Sequence, residues 1–174
     1  DLRADRQPEF TQIDLEMSFA TMEDIMAMNE GFIKRVFKEV MNIDIEIPMQ
    51  RLTFAEAMER YGSDKPDLRN PLIICDVTDL FKRVNFKPFM NKYVRAIVAP
   101  CKNERWFFDK SLAFATKQAK MAGLAHITLL DAANYTFKDD PISKVLSDEQ
   151  KKEIVELTGV KEGETLFFIC DDKK

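Results

Sequence analysis

The stretch DLRADRQPEFTQIDLEMSF, residues 1–19, gives the strongest indication of fold in this sequence. Apolar and polar side chains alternate along its second half, and this period of two is typical of a β-strand with one buried face. We therefore predict a strand from Glu9 to Phe19. Its apolar face would carry Ile13, Leu15, Met17 and Phe19, and its polar face would carry Gln12, Asp14, Glu16 and Ser18.

The polar face of this predicted strand has a composition suited to binding. Asp14 and Glu16 would point the same way, about 7 Å apart along the strand. Such a pair can hold an ammonium group or a metal ion, and Gln12 would add an amide. The alternative is the solvated face of an antiparallel sheet, which the alternation by itself favours.

Two groups of basic residues suggest contacts with phosphates or bases. Arg3, Arg6 and Gln7 precede the predicted strand on a segment that also contains a proline. Forked guanidinium donors suit phosphate and base recognition, and Lys65 and Arg69 in a later loop suggest the same role. Ordinary charged turns are the simpler explanation for both groups.

Two helices and a loop are predicted after the strand. Thr21 and Asp24 form a capping-box pattern at the start of a helix that runs to about Asn42. The same pattern begins a second helix at Thr53, and Gly62 is the expected left-handed stop. Two prolines, a glycine and alternating charges then predict a loop and a domain boundary.

Beyond residue 71 the pattern changes to short strands alternating with helices. Four strands and several helices in about a hundred residues predict an independent small α+β layer domain. The predicted strands cover residues 72–77, 93–99, 124–130 and 165–170. The predicted helices cover residues 79–83, 107–122, 142–146 and 148–158.

Composition narrows the class of protein further. The 174 residues are 45% hydrophobic and 32% charged, as in ordinary globular proteins, and the net charge of −4 provides no basic field for nucleic acid. Cys75, Cys101 and Cys170 have no metal-ligand spacing and suit a reducing compartment. His126 lies in an apolar run and is expected to be a packed strand residue.

Several classes of protein are disfavoured by absent motifs. The sequence has no P-loop, GxGxxG, GxSxG or HExxH pattern, and no apolar stretch of the ~20 residues that a membrane span needs. It begins with a charged run and ends with DDKK. From these ends we expect a chain cut from something longer.

Two long stretches resemble one enzyme family. Residues 1–19 resemble the second signature motif of bacterial-type aspartyl-tRNA synthetases, and TFAEAMERYGSDKPDLRNP, residues 53–71, resembles the part just before their inserted domain. Residues 72–174 are similar in position and element order to that insertion, the GAD domain. The resemblance implies an α+β chain made of two parts. Residues 1–71 would belong to the antiparallel class II catalytic sheet and its helices, and residues 72–174 would form the GAD domain.

The resemblance also implies an activity and residue roles. The family activates L-aspartate with ATP to aspartyl-adenylate and transfers it to the 3′ end of tRNA. Gln7 matches an ATP contact, Asp14 matches the residue that holds the substrate ammonium group, and Gln12 lies beside it. Arg3 and Arg6 match loop arginines near the tRNA acceptor end. ATP with Mg²⁺, a homodimeric parent, no membrane association and a cytoplasmic location are implied as well.

Departures from the family pattern limit the expected activity. The arginine and glutamate that immediately precede Asp1 in the family are missing, as are the first and third motifs and the anticodon-binding domain. We therefore expect this chain alone to be inactive, to hold no complete catalytic set and to bind no cofactor or metal. Two alternatives stay open: a non-catalytic tRNA-contact or interaction module, and a GAD-containing subunit of a tRNA-dependent amidotransferase.

Overall fold

The computed structural model describes residues 7–101, 105–138 and 140–172. The chain divides into two compact units, Asp1–Arg51 and Leu52–Lys174. The predicted domain boundary after residue 71 concerns the domains of the family, and it stays a prediction. In terms of compactness, the second predicted helix belongs with the C-terminal unit.

The first unit is built around one long helix, α1 (Met22–Met41). The predicted capping box is confirmed, because the Asp24 amide donates to Thr21 Oγ1 at 3.3 Å and the Thr21 amide donates to Asp24 Oδ2 at 2.8 Å. Asn42 ends the helix in the left-handed conformation, with φ of 54°. None of the residues of α1 is buried, although Met26, Met28 and Ile33 are half-buried.

The segment after α1 is fastened to the helix by polar contacts. The Met49 amide donates to Glu30 Oε1 at 3.2 Å. Arg51 pairs with Glu23 at 2.5 Å and with Glu30 at 3.4 Å. The Asp44 carboxylate contacts two lysines of the helix, and the Ile47–Pro48 peptide bond is cis. These contacts hold residues 42–51 against α1 without an apolar core.

The predicted strand over residues 9–19 is wrong for this chain. Residues 7–19 carry no strand, all of them are exposed, and Phe19 has a left-handed φ of 56°. A strand needs a neighbour for its backbone N–H and C=O groups. Within residues 7–51 no second strand is present to provide one. The alternating side chains of residues 9–19 are therefore not part of a β-sheet in this chain.

In its described residues, the second unit contains five helical segments and five strands. Its helices are α2 (Phe54–Tyr61), α3 (Thr78–Phe81), a 3₁₀ helix (Lys87–Phe89), α4 (Arg105–Lys117) and α5 (Asp148–Thr158). Its strands are β1 (Ile74–Asp76), β2 (Tyr93–Ala99), β3 (Ala125–Asp131), β4 (Thr136–Phe137) and β5 (Thr165–Asp171).

Most of the predicted elements of this unit are present, and the α+β class is confirmed. The helix predicted over residues 142–146 is instead a turn, in which Ser143 bonds to the backbone of residues 138 and 140. Helix α4 ends at Lys117, before the predicted stop at Gly123. The short strand β4 was not predicted. It forms because the chain folds back onto β3 after a turn at Asp131.

The five strands form one antiparallel sheet in the order β1-β2-β5-β3-β4. The last strand in sequence, β5, therefore lies at the centre of the sheet. One face packs against α3, α5 and the turn at residues 142–146. The fully buried side chains that fill this core are Val77, Leu80, Phe81, Val94, Ile127, Leu129, Ile154, Leu166 and Phe168.

The opposite face of the sheet is only partly covered. There Ile97, Phe167 and His126 are paired neighbours on three adjacent strands. Helix α4 lies over the β3 side, where the Phe108 ring stacks on the His126 ring with centroids 3.9 Å apart. An apolar groove remains beside α4 on this face.

Candidate functional site

The residues predicted to bind ATP and aspartate are not assembled into a site. Arg3 and Arg6 lie outside the described residues. Gln7, Gln12 and Asp14 are exposed on a segment without regular structure. In this chain they therefore occupy positions along one solvated segment, and no geometry fixes their spacing.

Asp14 nevertheless lines a small cavity of about 270 Å³ against α1. Ile13 and Leu15 line the same cavity, together with Asn29, whose Nδ2 donates to the Ile25 carbonyl at 2.9 Å. Both the apolar and the polar side chains of residues 7–19 are exposed, and the segment forms no strand. The predicted separation into a buried apolar face and a polar face is therefore wrong for this segment.

The predicted metal-binding capacity of Asp14 and Glu16 also finds no support in the geometry. Among residues 7–101, 105–138 and 140–172, no three His, Cys, Asp or Glu side chains converge as a metal site would require. Mg²⁺ prefers about six oxygen ligands in octahedral geometry, some of them from water or phosphate. The described residues therefore form no complete Mg²⁺ site of their own.

The basic loop after α2 is partly self-neutralised. Arg69 makes two hydrogen bonds to the Asp67 carboxylate, at 2.8 and 2.6 Å. This hydrogen bonding raises the pKa of Arg69 and lowers the pKa of Asp67. The Lys65 backbone N–H donates to Ser63 Oγ at 3.1 Å, and its side chain is exposed. The predicted phosphate contact at Arg69 is therefore less favoured, because the Arg69 guanidinium group already binds the Asp67 carboxylate.

An apolar groove of large volume lies on the open face of the sheet. A cavity of about 480 Å³ lies between α4 and the sheet, and a second of about 390 Å³ continues it toward α2. The side chains common to both are Leu72, Ile97, Leu124 and Phe167. These four shared side chains are apolar, so they provide contact area rather than a nucleophile or an acid–base pair.

The aromatic run at the start of α4 comprises Trp106, Phe107 and Phe108. Phe108 is buried, whereas Trp106 is 62% exposed. The Phe107 ring lies 6.1 Å from that of Phe167 and lines the groove. The run therefore divides between the packed side of α4 and the rim of the groove.

His126 is a packed strand residue, as predicted. Its ring lies against Phe108 and tilts toward Phe167, and burial lowers the pKa of His126. Burial also raises the pKa of the Cys75 and Cys170 thiols, which disfavours reactive thiolates there. None of these three groups has the surroundings of a catalytic residue.

A polar cavity at the other end of the unit was not predicted. It measures about 310 Å³ and lies between the β3–β4 turn, the turn at residues 142–146 and the start of α5. Asn134, Tyr135, Lys144 and Lys151 are among its lining side chains. The residues of the first loop are distant in sequence from Lys144 and Lys151. The only sequence signals for this cavity are the turn-forming stretches DAAN (residues 131–134) and DDPIS (residues 139–143).

Comparison with known proteins places this chain in a family. The family model of class II tRNA synthetases (D, K and N) matches residues 1–171. The chain therefore belongs to the class II tRNA synthetases of this group.

Curated relatives give the comparison more detail. The chain is 45% identical, over 98% of its length, to an aspartate–tRNA ligase of Clostridium novyi and covers 29% of that protein. It is 43% identical, over 98% of its length, to an aspartate–tRNA(Asp/Asn) ligase of Wolbachia pipientis and covers 29% of that protein. It is 40% identical, over its whole length, to an aspartate–tRNA(Asp/Asn) ligase of Micrococcus luteus and covers 28% of that protein. The chain thus spans less than a third of the length of these relatives.

No helix in the portion that the structure describes is both long and apolar enough to cross a membrane.

Proposed function

We propose that this chain is part of an aspartate–tRNA ligase. The parent would activate L-aspartate with ATP to aspartyl-adenylate and transfer the aspartyl group to the 3′ end of tRNA. The observation that carries the proposal is 45% identity over 98% of the chain to a protein named aspartate–tRNA ligase. The predicted domains, residues 1–71 of a catalytic sheet and residues 72–174 of a GAD insertion, belong to the same proposal.

The reaction sets the tasks of the site. A carboxylate oxygen of aspartate attacks the α-phosphorus of ATP, and pyrophosphate leaves. A hydroxyl oxygen at the tRNA 3′ end then attacks the aspartyl carbonyl carbon of the adenylate, and AMP leaves. Neither step needs a covalent intermediate with a side chain, so positioning and electrostatic stabilisation are the main contributions of the protein. Exposed polar side chains on one segment suit this task only when other parts of the enzyme fix their positions.

We assign the substrate contacts to the segment of residues 1–14. Asp14 would hold the aspartate ammonium group, with Gln12 beside it, because a buried carboxylate is stabilised by an opposite charge and such a site rejects molecules without the amine. Gln7 would contact ATP. Arg3 and Arg6 would approach the acceptor end of the tRNA, since guanidinium groups bind phosphates through paired donors.

The cellular setting of the parent follows from the same proposal. Its substrates would be L-aspartate, ATP with Mg²⁺ and tRNA, and it would act as a homodimer in the cytoplasm. Mg²⁺ would be held by the nucleotide and by residues outside this chain, because the described residues form no cluster that suits it.

ATP–pyrophosphate exchange tests the first part of the proposal. We expect the 174-residue chain alone to show no exchange above background, because Gln7, Gln12 and Asp14 are exposed on a segment without helix or strand. The parent enzyme should exchange in an aspartate-dependent manner. Exchange by the isolated chain, or none by the parent with aspartate, would contradict this assignment.

Substitution of Asp14 in the parent enzyme tests the residue role. Asp14→Asn should raise KM for aspartate by roughly a hundredfold, because a charge-paired hydrogen bond is lost, and should leave KM for ATP within about twofold. Glu9→Gln, on the same segment, is the matched control and should leave both values unchanged. Equal effects of the two substitutions would overturn the role of Asp14.

A further inference from the structure

The apolar groove on the open face of the sheet has a continuous floor. Ile74, Ile97 and Phe167 are paired neighbours on the adjacent strands β1, β2 and β5, so their side chains form one row across the sheet. The row spans two strand spacings, which is about 10 Å. Ile97 and Phe167 line both cavities of the groove, and Ile74 lines the one nearer to α2. The floor therefore has the length of an extended apolar molecule.

Helix α4 forms one wall of this groove. Trp106, Lys110 and Phe114 occupy every fourth position of the helix and line the cavity of about 480 Å³, so they lie along one side of α4. The two aromatic side chains are 62% and 58% exposed. They leave apolar surface in contact with water, and a bound apolar molecule would cover it.

The charges that line the groove are basic. Among the described residues, Lys110 is the charged side chain of the larger cavity and Arg95 is that of the smaller one. Arg95 is already neutralised, because its guanidinium group contacts the carboxylates of Asp76 and Glu59. Lys110 makes no hydrogen bond or ion pair in the part of the chain that the structure describes. One ammonium group beside an apolar floor is therefore available for an anion.

We infer that this groove binds an amphipathic carboxylate, a small molecule with an unbranched alkyl chain and one anionic end. The chain would lie along the row of Ile74, Ile97 and Phe167, and the carboxylate would pair with the Lys110 ammonium group. The stem of a lysine packs on apolar surface while its charge stays at the rim, which suits both parts of such a ligand. A cavity of about 480 Å³ is within the range for small-molecule sites. The groove shares no residue with the substrate contacts proposed for residues 1–14, so the inference does not rest on the proposed function.

Titration of the 174-residue chain with nonanoate, followed by calorimetry and by the fluorescence of Trp106, tests this site. Trp106 is the single tryptophan and lines the groove, so its emission should change in step with the heat of binding. Nonanoate should bind with a dissociation constant below about 1 mM. Heptanoate, which is shorter by a pair of methylene groups, should bind roughly tenfold more weakly. Absence of nonanoate binding below about 1 mM, or binding that leaves the emission of Trp106 unchanged, would overturn the inference.

Substitution of Lys110 tests the role of the charge. Lys110→Gln should weaken nonanoate roughly fivefold, the upper end for an ion pair near water, and should leave the neutral 1-nonanol within about twofold. Lys110→Arg keeps the charge and should retain nonanoate binding. Lys117→Gln is the matched control, because Lys117 lies on the same helix but does not line the groove, and it should leave both ligands unaffected. Unchanged nonanoate binding in Lys110→Gln, or equal affinity of the wild type for nonanoate and 1-nonanol, would show that no anion is recognised.

A variant that fills the groove tests the location. Ala99 is half-buried and lines the larger cavity, so Ala99→Phe should occupy it and weaken nonanoate at least about tenfold. Ala133→Phe, on an exposed turn, is its control and should bind as wild type. If Ala99→Phe loses the thermal transition of the wild type, Ser111→Leu fills the same cavity from α4 and takes its place. Normal nonanoate binding by a folded groove-filling variant would contradict the location. Sedimentation that shows a wild-type dimer, abolished by the same variant, would assign the groove to a second copy and overturn the inference as well.

Discussion

Phe168 is the side chain on which the core of the second unit depends most. It lies in the central strand β5 and is fully buried. Its ring centroid is 5.5 Å from that of Phe81 and 6.1 Å from that of Phe89, on two different helical segments. Phe168→Ala should therefore lower the free energy of unfolding of this unit by about 3–5 kcal/mol, the range for buried Phe→Ala changes. For a unit of this size the loss corresponds to a fall in Tm of roughly 10–20 °C.

Urea denaturation followed by the fluorescence of Trp106 measures this loss, because the single tryptophan lies on α4 of the same unit. Phe114→Ala is the matched control, since Phe114 is 58% exposed, and it should cost less than about 1 kcal/mol. Phe168→Leu should give an intermediate loss of roughly 1–2 kcal/mol. If the two alanine variants differed by less than about 1 kcal/mol, the placement of Phe168 in the core would be refuted.

Three further predictions concern other parts of the chain. Burial lowers the pKa of His126, so the neutral ring is favoured in the folded state. Tm should therefore be constant above about pH 7 and fall as the pH drops through about 6.5. The Tm–pH profile of His126→Gln should be flatter, and a slope equal to that of wild type would contradict this prediction. Ser147→Ala removes the cap of α5 and should cost about 1 kcal/mol in urea denaturation, whereas Ser147→Asp should retain most of the stability. Glu30→Ala removes the side chain that accepts the hydrogen bond of the Met49 amide. Hydrogen exchange of this amide, measured by NMR, should become several-fold faster, while the amides of α5 are unaffected. Equal exchange of Met49 in the variant and in wild type would show that the contact contributes nothing.

Local signals in the sequence predicted the helices well. The capping boxes predicted at Thr21 and Thr53 are both present, and Asn42 and Gly62 end these helices in the left-handed conformation. A cap depends on residues within one turn, so the sequence contains all the information that it needs.

Features that depend on distant partners were predicted less well. The alternation over residues 9–19 has the right period for a strand, but hydrogen-bond partners come from elsewhere, and none lie within residues 7–51. The turn at residues 142–146 has an apolar spacing suited to a helix, yet Ser143 takes the backbone groups that a helix would use. Competition between local and tertiary contacts decided both cases.

The candidate site shows the same limit. Resemblance to a family motif pointed to Gln7, Gln12 and Asp14. A binding geometry for these residues needs neighbouring strands, and residues 7–51 contain none. The cavity lined by Asn134, Tyr135, Lys144 and Lys151 is the opposite case, because the structure shows it but the sequence did not predict it. No motif joins these residues, and only the antiparallel return of β4 onto β3 and the docking of α5 bring them together.

The position of β5 has a consequence for synthesis on the ribosome. Its neighbours β2 and β3 are both made earlier, yet they do not pair with each other and wait for residues 165–171 to be placed between them. At ordinary translation rates of about 5–20 residues per second, β2 would stay without its main partner for roughly 3–13 seconds after it is made. During that time its exposed edge is open to wrong pairing, so this unit of the nascent chain is open to aggregation and chaperone capture until β5 emerges.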